Sequence, residues 1–591
     1  MPFRNNTVAS SESVASNESV ASHSAPQHDS PQHDKPELIA LFRADLDAAG
    51  FSVHNLTALW GEDAAAALHR SHRIPALRAL AGQNRSSRAV LARLFVLGLP
   101  VNRDDLESAL PGLRVSGAVK LSLVAQRAGT LHPLVDVRPY SFVDSQGVGQ
   151  WFIASDLGEL STGEALRPDH VLGVGGASAT LSGLMIASRV HSALDLGTGC
   201  GIQALHAARF ADRVVATDIS RRALHFAAFN AELNGVRTIE FRLGSLFEPV
   251  ANERFDRIVS NPPFVITPRT KNVPNYEYRD GGMVGDALVA TVIRGLSAHL
   301  VPGGVAQLLG NWEYRHSDAA TAAGSTGDGL DRVKSWLSAA GRAAGRSAGR
   351  SAGRSVGLDA WVIEREVQSV GHYAETWIRD GGTIPGADFD RLYEAWLDDF
   401  ESRGVSAVGF GYLTLRAPQD SANPLSPQPL SPQPLSRFER LHGAVGSGLG
   451  PHIESSLAAW DFHSALDDES LGREHLSVAP DVTEHRHYWP GNDDPTVMQL
   501  QQGEGFARTF DLGTALAALV GACDGELSLR AIISALAQLL EADEAALKQE
   551  LLPSIRELLF EGFLVAETGA ESAHDSIHDS IHDSLHDSGS I

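Results

Sequence analysis

Asn261-Pro262-Pro263-Phe264 comes one residue after the strand-like run Phe255–Val259. Proline cannot donate to a ladder, so a strand must stop there. A simple turn needs only Gly or Asp. Two rigid prolines between an amide and an aromatic ring imply that groups are being held at a strand end. The Asn261 side-chain oxygen and the Pro262 carbonyl can each accept a hydrogen from an NH2 group. Phe264 can stack on the planar group that carries it. Such an arrangement suits chemistry on a conjugated nitrogen, whose lone pair is delocalised and needs a fixed geometry before it can attack.

A second set of residues lies upstream. "ALDLGTGCGIQALHAARFA" puts Gly197, Thr198, Gly199 and Gly201 between a strand pattern and a helix pattern. The spacing is G-x-G-x-G. The third glycine of a dinucleotide fingerprint would fall on Ile202, so a pyrophosphate is not expected. Glycines still let the backbone approach a ligand closely. Asp195, at the end of the strand, can accept from a ligand ammonium group. The next strand ends at Asp218, where an acid can take ribose hydroxyls. Ser245 follows the third strand, near a possible adenine edge. Each feature has a structural reading: an ordinary βα turn, a helix-opening Asp, a bare Pro-Pro stop. In this order they describe a pocket for adenosine carrying a small zwitterion, without phosphate neutralisation. S-adenosylmethionine is such a ligand.

These residues need a scaffold, and the chain supplies one. "SALDLG", "RVVATD", "IEFRLGS", "FDRIVSN" and "GGVAQLLG" are short apolar runs, most of them separated by helical stretches such as "SRRALHFAAFNAELNG", with Ser220 as N-cap and Gly235 as stop. Alternating β and α units predict a parallel sheet covered on both faces, and "LDAWVIEREV" and "AVGFGYLTLR" add two late strands. The 591 residues exceed one core and divide into three folded units. The expected layout is a disordered tail to residue 35, a mainly helical domain over 36–183 with strand-like pieces such as "AVKLSLVAQ", and the sheet domain over 184–418. A Pro-rich linker (419–436), a winged-helix-like domain (437–568) and a disordered tail (569–591) follow. Two cysteines, Cys200 and Cys523, cannot form a disulfide framework, and no apolar run is long enough to span a membrane. A cytoplasmic protein is expected. The net charge of −24 opposes nucleic acid at long range.

On "LDLGTGCG", Asp218 and "SNPPF", the stretch from about Ser188 to Arg416 resembles the class I S-adenosylmethionine-dependent methyltransferases. The resemblance implies a Rossmann-like seven-stranded domain. It also implies direct transfer of methyl to a planar nitrogen without a metal or a strong general base. Asn-Pro-Pro-Phe is similar to the motif of enzymes acting on adenine or guanine amino groups of nucleic acids or on the glutamine amide of release factors. "LRPDH" (Leu166–His170) and "NYEYRDGGMVGD" (Asn275–Asp286) resemble segments of the glutamine branch. Two departures stand out: Ser245 replaces a frequent Asp, and Phe264 occupies a position that is often Tyr in the glutamine enzymes. A protein glutamine is the favoured acceptor, with a nucleic-acid base as the alternative and a non-catalytic S-adenosylmethionine-binding scaffold as a third reading.

Other features read as surface. Arginines 342, 346, 350 and 354 recur every fourth residue, each after a glycine, and suit an insertion better than a phosphate-binding helix. His485 and His487 lack a convincing third ligand and belong on a surface strand or loop. The terminal His-Asp repeats suit a solvated tail.

Overall fold

The computed structural model describes residues 30–70, 72–83, 86–162, 166–270, 273–274, 276–316, 327–347, 357–419, 434–443, 445–446 and 448–567. At its centre is one mixed sheet. Its strands are β1 (Val190–Leu196), β2 (Ala211–Asp218), β3 (Ile239–Leu243), β4 (Phe255–Ser260), β5 (Leu300–Arg315), β6 (Asp359–Ser369), β7 (Val405–Arg416) and β8 (Ser436–Arg440). The spatial order is β8-β6-β7-β5-β4-β1-β2-β3, and only β7 runs against its neighbours.

The helices of this domain are α1 (Gly176–Leu184), α2 (Ile202–Ala207), α3 (Arg221–Leu233), α4 (Ala287–His299), α5 (Gly329–Ser347), α6 (Val370–Asp380) and α7 (Ala387–Ser402). Leu194, Val215 and Ile258 pack under α4 and α5, while their neighbours Ala193, Val214 and Val259 pack under α2. Both faces are thus covered, which is why these strands read as unbroken apolar runs. Ser220 caps α3 by accepting from the Ala223 N–H. The chain order reverses between β1 and β4, and the C-terminal ends of β1, β2 and β4 open a crevice there.

Several expectations need correction. The sheet has eight strands, not seven. Ser436–Arg440 falls across the expected linker boundary because a five-residue segment with three charges does not look like a strand. It pairs with β6, and Arg437 is neutralised by Glu439, Glu557 and Glu561. Helix α1 belongs with the sheet, since Gln307 on β5 accepts from the Ile186 N–H just beyond it. Residues 30–35 are ordered: the Gln32 N–H donates to the Leu121 carbonyl, and His33 lies against His225. In "AVKLSLVAQ" the first three residues end the helix Arg114–Lys120, a left-handed Ser122 turns the chain, and the strand starts at Val124. The backbone of α5 continues through Gly341–Ser347 into the arginine repeat. Its packed first turns have already met the nucleation cost, so the Ala and Arg residues can extend it. The rest of that repeat, the Pro-rich repeat and the His-Asp tail lie outside the described residues.

The N-terminal part is helical from Pro36 to Lys120, with a three-stranded antiparallel sheet and the long hairpin Asp136–Asp144/Gly147–Ser155. Its core continues into α3 through Phe226, Phe229 and Leu233. The C-terminal part contains the expected helix (Leu529–Leu539), turn, helix (Glu544–Phe560) and strand (Leu564–Ala566). His485 and His487 lie on an exposed antiparallel strand. No helix among the described residues is long and apolar enough to cross a membrane.

Arg416, at the end of β7, joins the sheet to the C-terminal part. It donates to Asp359 Oδ2 at 2.7 Å and to Asp461 at 2.6 Å, and Arg416 and Asp359 are both buried. Arg416→Ala leaves a buried carboxylate without its cation and is expected to cost about 3–5 kcal/mol. Urea unfolding measures this, and an unchanged midpoint would contradict it.

Candidate active site

The crevice encloses about 580 Å³, within the range of small-molecule sites. Its floor is the glycine loop. Gly197, Gly199 and Gly201 all have positive φ (81°, 55° and 89°), so the loop turns sharply from β1 into α2. The Gly197 and Thr198 N–H groups both donate to the Thr217 carbonyl at 2.9 Å, and the Gly199 N–H donates to Asp218 Oδ2 at 2.9 Å. The loop is therefore stitched to the end of β2. A Cβ at Gly197 or Gly199 would meet nothing within 4 Å, whereas at Gly201 it would meet Ala227 at 3.0 Å. The first two glycines face open space, and the third permits close packing on α3.

Gly197, Thr198, Gly199, Asp218, Ser245, Asn261 and Pro262 line the crevice together, as their spacing predicts. Asp195 and Gly201, expected to hold the cofactor, do not line it, Gly201 because it packs against Ala227 on α3. The Asp195 carboxylate lies beneath the loop, 1% exposed, and accepts from Thr198 Oγ1 at 2.6 Å. Its strand continues one residue further, to Leu196, and turns it inward. Burial raises its pKa to about 7. Phe264 also misses the wall. Its ring packs on Phe410 with centroids 5.6 Å apart, because the chain past the prolines bridges to Asp280. The aromatic ring on the wall is Tyr278, set edge-on to His170 at 5.7 Å.

Asn261 is held from one side only. Its Nδ2 donates to Ser178 Oγ on α1 at 3.3 Å, and its Oδ1 is buried without a donor among the described residues. The opposite wall consists of the two short segments singled out in the sequence. Asp169 and His170 come from one, and Glu277, Tyr278, Asp280 and Met283 from the other. The Glu277 N–H donates to the Pro168 carbonyl at 2.9 Å and joins them. The charged lining is four carboxylates (Asp169, Asp218, Glu277, Asp280) and two guanidiniums (Arg221, Arg222). Asp169 pairs with Arg167, Asp280 with Arg269, and Arg222 with Asp156. Among the described residues the Glu277 carboxylate has no partner. The site thus favours a cationic ligand over an anionic one.

Comparison with known proteins agrees with this geometry over a limited span. Residues 174–315 match the family described as methyltransferase small domain. Residues 48–134 and 457–566 match two domains of unknown function, DUF7059 and DUF7782. A release factor glutamine methyltransferase of Xylella fastidiosa is 40% identical over 127 residues, 20% of this chain and 46% of that protein. A ribosomal protein uL3 glutamine methyltransferase of Bradyrhizobium diazoefficiens is 36% identical over 125 residues, 20% of this chain and 39% of that protein. The chain spans less than half the length of these curated relatives. Among solved structures, the YcgJ protein of Bacillus subtilis aligns with 41% of this chain and 99% of its own at 16% identity, with a TM-score of 0.26.

Among the residues around the crevice, sequence reasoning missed Ser178, His170, Glu277 and Tyr278 as site residues. Ser178 stands in "GGASATLSG", where nothing in composition or spacing marks a hydrogen-bond partner for a residue 83 positions away. The other three lie in the two quoted segments, and only the fold turns them into one wall.

The raised pKa of Asp195 has a thermodynamic consequence. The folded chain keeps this proton where the unfolded chain has released it, so stability falls as pH rises from about 4 to about 7. Asp195→Asn, which keeps an acceptor for Thr198 but cannot titrate, is expected to flatten that part of the profile. Urea midpoints across the window measure it, and parallel wild-type and variant profiles would contradict it.

Proposed function

We propose that the chain is an S-adenosylmethionine-dependent methyltransferase and that its acceptor is the side-chain amide of a protein glutamine. One observation carries the reading: a buried, undonated asparagine oxygen stands on the wall of a nucleoside-sized crevice. A buried acceptor without a partner costs about 1–3 kcal/mol, and an incoming N–H removes that cost.

The residues fit the cofactor. Open space at Gly197 and Gly199 admits a ligand against the backbone, Asp218 can accept from ribose hydroxyls, and the acidic lining suits a cation. When bound, S-adenosylmethionine supplies an electrophilic methyl on a sulfonium. The chain's own work is orientation. Asn261 Oδ1 and the Pro262 carbonyl accept from the acceptor NH2 group and point its nitrogen into the crevice. The prolines keep both acceptors fixed, so little reorganisation is needed. With Phe264 turned away, Tyr278 on the opposite wall is the ring that can meet the planar acceptor group. The nitrogen's proton becomes acidic as the new bond forms, so a strong base is unnecessary.

A glutamine amide fits this site better than a nucleic-acid base because, once Asp169, Asp280 and Arg222 are paired, the carboxylates of Asp218 and Glu277 outnumber the Arg221 guanidinium and oppose a phosphate backbone. The C-terminal helix–turn–helix–strand is read as a winged-helix-like unit. The relatives named above, glutamine methyltransferases of a release factor and of a ribosomal protein, support the same acceptor class.

Two measurements test the reading. Incubation with methyl-labelled cofactor and cell extract should give label that survives nuclease and is released by protease; the reverse points to nucleic acid. Asn261→Ala should lower kcat by about 10²–10³-fold while cofactor still binds. Full turnover in that variant would sink the proposal.

A further inference from the structure

The Asn-Pro-Pro-Phe elbow leaves the sheet and does not end in a free loop. Helices α6 and α7 form a hairpin inserted between β6 and β7, and they pack on the chain just past the prolines through Val265, Ile266, Tyr373, Ile378 and Trp396. Tyr373, 3% exposed, is held by aromatic neighbours: Trp377, Trp396 and Phe400 lie with ring centroids 6.0, 6.1 and 6.0 Å from its own. A ring so enclosed has little freedom to move. Its hydroxyl accepts from the buried Ile266 N–H at 3.0 Å and contacts the Asn311 side-chain amide at 2.6 Å. With the Asn311 amide turned, its otherwise unpartnered oxygen would take the Tyr373 proton, completing the network.

A second attachment reaches the same elbow from the other side. The Val265 N–H donates to the Arg279 carbonyl at 2.9 Å, and Phe264 bridges to Asp280. The Arg279 guanidinium is buried and donates to the Trp377 carbonyl and to Asp380 Oδ2, both at 2.8 Å. It also stacks over Tyr276 at 4.6 Å. Residues 264–266, immediately after the acceptor-binding Asn261 and Pro262, are therefore tied twice to one helix. Neither Tyr373 nor Arg279 lines the crevice.

We infer that the α6–α7 hairpin is the clamp that aims the elbow, with Tyr373 and Arg279 as positioning residues for methyl transfer. This rests on the reading of Asn261 as the acceptor-binding residue. The prolines stiffen the elbow internally, but stiffness alone does not set its direction relative to the crevice. The two attachments to α6 do so, and a displacement of an ångström or less is enough to lose alignment at the reacting nitrogen.

The test uses the full chain and Tyr373→Phe, which removes the hydroxyl and keeps the ring. Hydrogen exchange should quicken at Ile266 while the amides of the glycine loop stay protected. The affinity for S-adenosylhomocysteine, read by calorimetry, should stay within about twofold. The rate of label transfer from S-adenosylmethionine to cell extract should fall about tenfold to a hundredfold. Arg279→Met, which keeps the apolar stem and removes the Nη1 that donates to both the Trp377 carbonyl and Asp380, should give the same split and serves if the first variant folds poorly. Transfer at the wild-type rate in a folded variant overturns the clamp alone. A parallel loss of cofactor affinity also overturns it, since that marks general damage. A wild-type chain that transfers no label overturns the reading of the site, and the clamp with it.

Discussion

An amide oxygen deprived of donors is unstable inside a protein, and Asn261 Oδ1 is in that position at the end of a central strand. Everything around it prevents the relief that rotation would bring. Its own nitrogen is engaged by Ser178 on α1, and the backbone beyond it is locked by two prolines. Past them the chain is tied to α6. A site that must meet an incoming N–H without reorganising needs this arrangement, because a flexible acceptor would turn to water or to a neighbouring amide. The stability lost locally is supplied by the sheet, whose parallel strands are buried on both faces.

The flanking parts are built into the site. The core of the N-terminal part runs into α3, the helix that follows Asp218. Asn230 on α3, fully buried, donates to the carbonyls of Ala154 on the hairpin and Cys200 in the glycine loop. Asp156, just beyond that hairpin, accepts from the Val171 N–H and pairs with Arg222, which holds the 169–173 segment over the crevice. The C-terminal part is joined through β8, where Glu439 takes both Arg437 and Arg508, and through Trp361, whose ring meets Phe506 and Phe560. These contacts lie at the far edge of the sheet from β3. The residues that flank the Pro-rich segment, Ala417 and Leu435, stand at the end of the sheet opposite the crevice.

Much of this was legible in the residues. A parallel α/β sheet follows from runs that end in Gly, Asp or Asn and alternate with helical patterns. The glycine loop, Asp218 and the strand-stopping prolines fall where the crevice opens because each is a local requirement: a left-handed turn, an acid after a strand, a chain that cannot pair. Ser436–Arg440 was not legible, since most of the partners that neutralise its charges, Glu364, Arg508, Glu557 and Glu561, lie tens of positions or more away in the chain. Asp195 and Phe264 have the right types and places along the chain, yet one extra strand residue and one backbone bridge turn both away from the opening.

The amino-acid sequence by itself thus determined the class of fold, the nucleoside-sized turn and the rigid amide at a strand end, because these depend on backbone freedom and short-range sterics. Tertiary structure alone decided which groups face the crevice. Tyr278 supplies a ring on the wall opposite Asn261, Glu277 brings a carboxylate unpaired among the described residues, and Ser178 fixes the amide. Their directions are set by packing between segments far apart in the chain, and no local rule of spacing encodes that.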